Sequence, residues 1–108
     1  MKLITAPIRK ALDSTPLYSK DGQGKDAKVL VKFFGGGRYT YLVTEAEKLD
    51  DGDYRFFGWC VSPLGPDCDE FGYSLFSEMA ALKFPPFGLG LERDRYVMPN
   101  KHTVRDLL

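Results

Sequence analysis

Three consecutive glycines, Gly35-Gly36-Gly37, separate two apolar runs, Val29 to Phe34 and Tyr39 to Val43. Both runs are rich in β-branched and aromatic residues, which pack well on a pleated surface and so signal strands. A parallel crossover takes a dozen residues or more, so this short link allows only an antiparallel hairpin. Glycine supplies the positive backbone angles that a tight connection needs. In the first strand, Lys28 to Phe34, alternation puts Val29, Val31 and Phe33 on one face and Leu30, Lys32 and Phe34 on the other. The return strand sets Tyr39, Tyr41 and Val43 against Arg38, Thr40, Leu42 and Thr44. Glu45 to Asp53 is acidic and ends in the turn Asp50-Asp51-Gly52-Asp53, after which Tyr54 to Val61 reads as a third strand.

A helix is expected to open at Thr5-Ala6-Pro7, with Thr5 as cap and Pro7 in a first turn that tolerates its missing donor. Ile4, Ile8, Ala11 and Leu12 then share a face, and Ser14-Thr15-Pro16 ends the helix. Pro16-Leu17-Tyr18 reads as extended, and Ser19 to Lys28 as the most mobile internal loop. Phe71 to Leu75 reads as a fourth strand, and Ser77 as the cap of a helix to Leu82 whose Met79 and Leu82 face the sheet. Pro85, Pro86 and Gly88 break that helix. Leu89 to Val97 alternates as a strand, with Glu92, Asp94 and Tyr96 on one face and Arg93, Arg95 and Val97 on the other. Lys101 to Leu108 is an amphipathic tail with Val104, Leu107 and Leu108 as its apolar side. The expectation is one α+β domain over residues 1–108, an antiparallel sheet of about four to six strands packed against an N-terminal helix and one or two short helices. Val31, Phe33, Tyr41, Val43, Phe56 and Trp59 are its expected core.

Composition excludes several function classes. Fifteen basic and fifteen acidic residues cancel, whereas phosphate contacts need a surplus of Lys and Arg. Nucleic acid is therefore the disfavoured partner and a protein the expected one. No stretch approaches the ~18 apolar residues of a membrane span, and the start has no long apolar core like a signal peptide. A cytoplasmic location without membrane association follows as the expectation. Two cysteines and one histidine cannot complete a zinc site without carboxylates, so no metal and no cofactor are expected. Cys60 reads as a small strand hydrophobe and Cys68 as an exposed loop thiol with acidic neighbours. A reducing cytoplasm argues against a bridge between them.

Each candidate constellation has a plainer reading beside it. The three glycines precede a strand, whereas a phosphate loop precedes a helix and carries Lys-Ser or Lys-Thr. Asp50 to Asp53 lacks the ligand spacing and closing Glu of a calcium loop. There is no Gly-x-Ser-x-Gly, and the one histidine, His102, falls in a terminal segment expected to be mobile. Glu92 and Asp94, about 7 Å apart on a strand face, could work as an acid–base pair. They could equally match Lys32, Arg38 or Arg55 across strands. Tyr39, Tyr41, Tyr54, Phe57 and Trp59 could stack bases, or could fill the core.

The order Leu3-Ile4-Thr5, Pro16-Leu17-Tyr18, Val31-Lys32-Phe33-Phe34, Tyr41-Leu42-Val43-Thr44-Glu45, Phe56-Phe57-Gly58, Phe71-Gly72-Tyr73-Ser74-Leu75 and Gly90-Leu91-Glu92-Arg93-Asp94 spans nearly the whole chain. In this order it resembles a family of short bacterial proteins catalogued only as a domain of unknown function. Members are common on plasmids, integrative conjugative elements and phages. The family has an aromatic-rich segment where this chain has Gly35-Gly36-Gly37-Arg38, so the hairpin tip departs from the pattern. The resemblance implies a setting in mobile elements and carries no catalytic residues over. The leading expectation is a non-enzymatic accessory protein that binds a host or element protein, in counter-defence or regulation. Its expected anchors are Tyr39, Tyr41, Tyr54 and Trp59, framed by Arg38 and Arg55. The alternatives are a nucleic-acid-binding accessory that uses the aromatic strands with Arg38, Arg55, Arg93 and Arg95, and a small enzyme using Glu92 and Asp94.

Overall fold

The glycine hairpin forms as its spacing requires. In the computed structural model, which describes residues 2–62 and 64–108, β1 (Val31–Gly35) and β2 (Tyr39–Lys48) pair antiparallel with Gly35 opposite Tyr39. Met1 and Pro63, the latter opening the loop around Cys68, lie outside the described residues. Gly36 takes φ +60° at the turn, the left-handed region that glycine enters without cost. β3 (Tyr54–Val61) pairs with β2, β4 (Glu70–Leu75) with β3, and β5 (Glu92–Arg93) with β1. The result is one antiparallel sheet in the order β4-β3-β2-β1-β5, flanked by α1 (Ala6–Asp13) and the short α2 (Phe76–Ala80). This is the expected α+β architecture.

The main core lies between the helices and one sheet face. Val31, Phe33, Tyr41, Val43 and Phe56 bury there with Ile4, Ile8, Leu12 and Met79. The rings of Phe33 and Phe56 sit 6.1 Å apart, each about 6 Å from Phe76. Tyr54 fastens α1 to the sheet: its hydroxyl donates to Asp13 at 2.7 Å and accepts from Arg9 at 3.2 Å. On the opposite face a smaller cluster of Val29, Leu42, Val97 and Val104 closes under the C-terminal segment. Backbone bonds hold that segment, Val29 N–H donating to His102 O at 2.8 Å and Val104 N–H to Ala27 O at 3.0 Å. His102 is thus tied beside Val29 and does not sit in a free tail.

A bulge sets the phase of β2. Val43 lies opposite Gly58 and Glu45 opposite Phe57, which leaves Thr44 without a partner residue. Its hydroxyl donates to the Phe57 carbonyl at 3.1 Å. At Gly58 the strands approach so closely that a Cβ would stand 2.0 Å from the Leu42 carbonyl oxygen. Strict alternation past Thr44 therefore fails, and β2 continues to Lys48, into the acidic stretch that leads to the turn at Asp50 to Asp53.

Other departures have local causes. β1 starts at Val31, three residues after Lys28, because Lys28 bridges to Thr103 in the C-terminal segment. Pro16 to Tyr18 closes a turn, with Ser19 N–H donating to Pro16 O at 3.2 Å and Tyr18 at φ +72°. Ser77 lies inside α2 and caps nothing there; its hydroxyl donates to Asp53 at 2.5 Å. The Asp53 carboxylate also accepts the N–H groups of Ser77 and Tyr54, and the Ser77 hydroxyl lowers its pKa. α2 stops at Ala80, and Leu82 is exposed. The strand expected over 89–97 shrinks to Glu92–Arg93, because Phe84 bridges to Leu89 and Asp94 accepts the Tyr96 N–H in a turn. Tyr96 is left 91% exposed.

Phe33 and Phe56 are both fully buried, and truncating either to alanine is expected to cost about 3–5 kcal/mol. Urea denaturation should reveal that loss. Gly58→Ala should destabilise as well, since backbone cannot yield to the added methyl as a flexible side chain could. Melting within a degree or two of the parent would contradict this core.

Candidate functional site

On the sheet face away from α1, β3 and β4 carry an aromatic ladder. Phe57 stacks on Phe71 at 5.6 Å and 7°, Tyr73 tilts against Phe57 at 5.0 Å, and Trp59 meets Phe71 edge-on at 5.0 Å. These residues share a face because the bulge at Thr44 leaves β3 itself regular and its alternation intact. The ladder is only half-covered, and Tyr73 is 53% exposed. The neighbouring Tyr18 hydroxyl raises the Tyr73 pKa.

Beside the ladder runs a groove of about 640 Å³. Leu42, Trp59 and Val61 form its floor, Leu107 and Leu108 one wall, and Lys25, Lys32, Arg38 and Asp69 its charged rim. Lys25 projects from a single 3₁₀ turn, Gly24–Asp26, and its ammonium stands 4.6 Å from the centre of the Trp59 ring. Attraction between a cation and an aromatic face is worth about 0.5–1 kcal/mol at an exposed site, enough to orient the lysine. The indole N–H is buried and meets no acceptor among the described residues.

The other two rim cations have partners. Arg38 donates to both Asp69 oxygens at 2.9 Å and to the Ser62 carbonyl, while Asp69 also accepts the Ser62 N–H at 2.8 Å. This fork ties the hairpin tip to the β3–β4 connection and lowers the Asp69 pKa. Lys32 pairs with Asp94 at 3.6 Å. Lys25 has no carboxylate at ion-pair distance among the described residues.

A second depression of about 330 Å³ lies over Phe57 and Phe71. Its buried Glu45 accepts the N–H groups of Tyr18 at 2.9 Å and Lys20 at 2.8 Å. Both carboxylate oxygens thus serve the chain's own loop. Burial lowers the Lys20 pKa, and the charge of Glu45 partly offsets it.

The groove brings together Trp59 and Arg38 out of the anchors expected from sequence. Trp59, expected in the core, is only half-buried. Tyr41 and Tyr54 are each 1% exposed, which takes both off the surface. The Tyr41 hydroxyl donates to the Gly72 carbonyl, and burial raises its pKa. Tyr39 packs on Phe84 at 5.8 Å on the other face, its pKa pushed up to about 12 by burial. Arg55 reaches Glu47 at 3.2 Å, an exposed pair at the far end of β3. Glu92 and Asp94 line different depressions, Glu92 against the Phe84–Leu89 loop and Asp94 beside Lys32. Asp94 therefore follows the cross-strand charge matching weighed against acid–base chemistry. Cys60 and Cys68 are free thiols, and burial raises the pKa of Cys60. Among the described residues no cluster of His, Cys, Asp or Glu could hold a metal ion, and no helix is long and apolar enough to cross a membrane. Lys25 had no sequence signal, and Leu107 was legible only as part of the tail's apolar side, since only the fold carries them to Trp59. Phe71 had one, as the alternating partner of Tyr73.

A family model described as "Protein of unknown function (DUF2958)" matches residues 3–104. The chain belongs to that family. No curated protein and no solved structure matches it.

The Arg38–Asp69 fork generates a pH prediction. The folded Asp69 pKa is depressed, so its contribution is complete above the ordinary aspartate value and lost as pH falls through the lower folded one. Thermal melts should put Asp69→Asn below the parent at neutral pH. The two curves should begin to approach each other below about pH 3.9 and meet only below the lower folded Asp69 pKa.

Proposed function

We propose that this protein is a binding module without turnover, and that its groove takes an acidic segment of a partner protein over Trp59. The observation that carries this reading is the groove's composition: an aromatic and aliphatic floor, Lys25 on the indole, and a rim of Lys32 and Arg38. Trp and Arg are the residue types in which binding energy concentrates at protein interfaces. Lys32 and Arg38 are already neutralised by Asp94 and Asp69, so among the described residues Lys25 is the rim's one uncompensated cation. One such charge suits a carboxylate side chain. A nucleic-acid backbone needs several, because each neutralised phosphate adds to affinity.

We place this binding in the setting of a mobile genetic element, with a host or element protein bound in counter-defence or regulation. The resemblance to proteins common on plasmids, conjugative elements and phages supports that setting.

The chain has a single tryptophan, so its emission reports on the groove. Titration with a glutamate-rich peptide should give a saturable change that weakens as salt rises. Lys25→Glu should weaken it at least tenfold while the melting temperature stays nearly constant. A lysine-rich peptide should give none. No response to the acidic peptide would overturn the reading, and tighter binding of a single-stranded oligonucleotide would replace it with the nucleic-acid one. Turnover of a substrate that Glu92→Gln or Asp94→Asn abolishes would make the protein an enzyme instead.

A further inference from the structure

The two edges of the sheet differ. β5 is two residues long, Glu92–Arg93, and leads straight into a turn, so it offers little to pair with. β4, Glu-Phe-Gly-Tyr-Ser-Leu, is six residues long, contains no Lys or Pro, and among the described residues has no strand on its outer side. Lysines, prolines and short strands are the usual protections of a sheet edge. β4 has none of them.

Strand alternation shows which backbone groups that edge presents. The Phe57 carbonyl faces β2, where Thr44 donates to it. Phe56 and Gly58 must then bond toward β4, and their partners Ser74 and Gly72 bond back. The Tyr41 hydroxyl, reaching the Gly72 carbonyl and lying 3.5 Å from that of Phe56, agrees with this direction. Phe71, Tyr73 and Leu75 therefore turn their N–H and C=O groups outward.

We propose that β4 pairs with β4 of a second copy of this chain, antiparallel about a two-fold axis at Gly72, joining two sheets into one. The strand is self-complementary in that register. Phe71 of one copy falls opposite Tyr73 of the other as a hydrogen-bonded pair, continuing the aromatic ladder across the axis. The two Gly72 residues meet as a non-hydrogen-bonded pair, where strands come closest. Glu70, the one charged residue of β4, falls opposite Ser74, so no like charges are opposed. This charge pattern favours a second copy over an arbitrary strand, and the inference is independent of the groove's occupant.

Analytical ultracentrifugation across the micromolar range should find a monomer–dimer equilibrium. Tyr73→Pro removes an outward donor and spares the bonds to β3, so it should shift the chain to monomer with its circular dichroism unchanged. Tyr73→Lys, which keeps the backbone donor, should do the same by placing charge beside the facing Phe71. The register has its own test in a Cys60→Ser, Cys68→Ser background. A Cβ at Gly72 meets nothing within 4 Å, and facing non-hydrogen-bonded residues fall within disulfide reach. Gly72→Cys should therefore cross-link two chains under mild oxidation, and Ser74→Cys should not. A chain that stays monomeric throughout, a dimer indifferent to both Tyr73 variants, or preferential cross-linking at position 74 would overturn the proposal.

Discussion

The close approach of β2 and β3 at Gly58 governs the arrangement of everything around it. With no side chain there, the Leu42 carbonyl sits where a Cβ would be, and β2 carries Thr44 as one residue more than β3 can match. The extra residue reverses which face of the sheet each later side chain meets. Tyr41, Val43 and Ala46 all reach the helix-covered core, although strict alternation would separate Val43 from Ala46. Leu42 joins the opposite cluster, and Glu45 falls beside Phe57. Six consecutive residues, Tyr41 to Ala46, are buried, because the helices cover one face of β2 while the C-terminal segment covers Leu42 and the Tyr18–Lys20 loop covers Glu45 on the other.

From that reversal follows the shape of the second face. Glu45 is buried there and would be costly unpaired; the Tyr18 and Lys20 amides satisfy it and draw the loop toward the sheet. Farther along this loop the 3₁₀ turn presents Lys25 to Trp59. At the other side Arg38, at the glycine hairpin, grips Asp69 and the Ser62 carbonyl, which holds the β3–β4 connection against the groove. Two of the groove's cations, Lys25 and Arg38, are thus placed by segments with little regular structure of their own, one fixed by a ring and the other by a carboxylate.

How much of this could be read from sequence depended on how local the cause was. The hairpin at Gly35 to Gly37 and the third strand at Tyr54 to Val61 were legible, the latter to the residue, because turn glycines and aromatic alternation act within a few positions. The end of β2 was not, because the reason for the bulge sits at Gly58 on a neighbouring strand. Tyr54 and Phe56 point one way from β3, Phe57 and Trp59 the other, and both sets are aromatic. Only the position of α1 decides that Tyr54 is core and Trp59 is half-open. Ser77 had the residue type of a cap, yet Asp53, distant in sequence, supplied a better partner. Glu92 and Asp94 kept their strand spacing on paper and lost it where the Phe84–Leu89 bridge shortened the strand.

The groove, the aromatic ladder and the open sheet edge meet on one hairpin. β3 and β4 supply Trp59 to the groove floor, Phe57, Phe71 and Tyr73 to the ladder, and the outer rim of the sheet. The helices cover the opposite face of this hairpin, where Phe56 is fully buried, so its position is set from behind. A face held rigid on one side and left half-covered on the other can bind without first ordering itself, which lowers the entropic cost of association. The contrast with β5 is one of length: at that edge the strand is two residues long and ends in a turn.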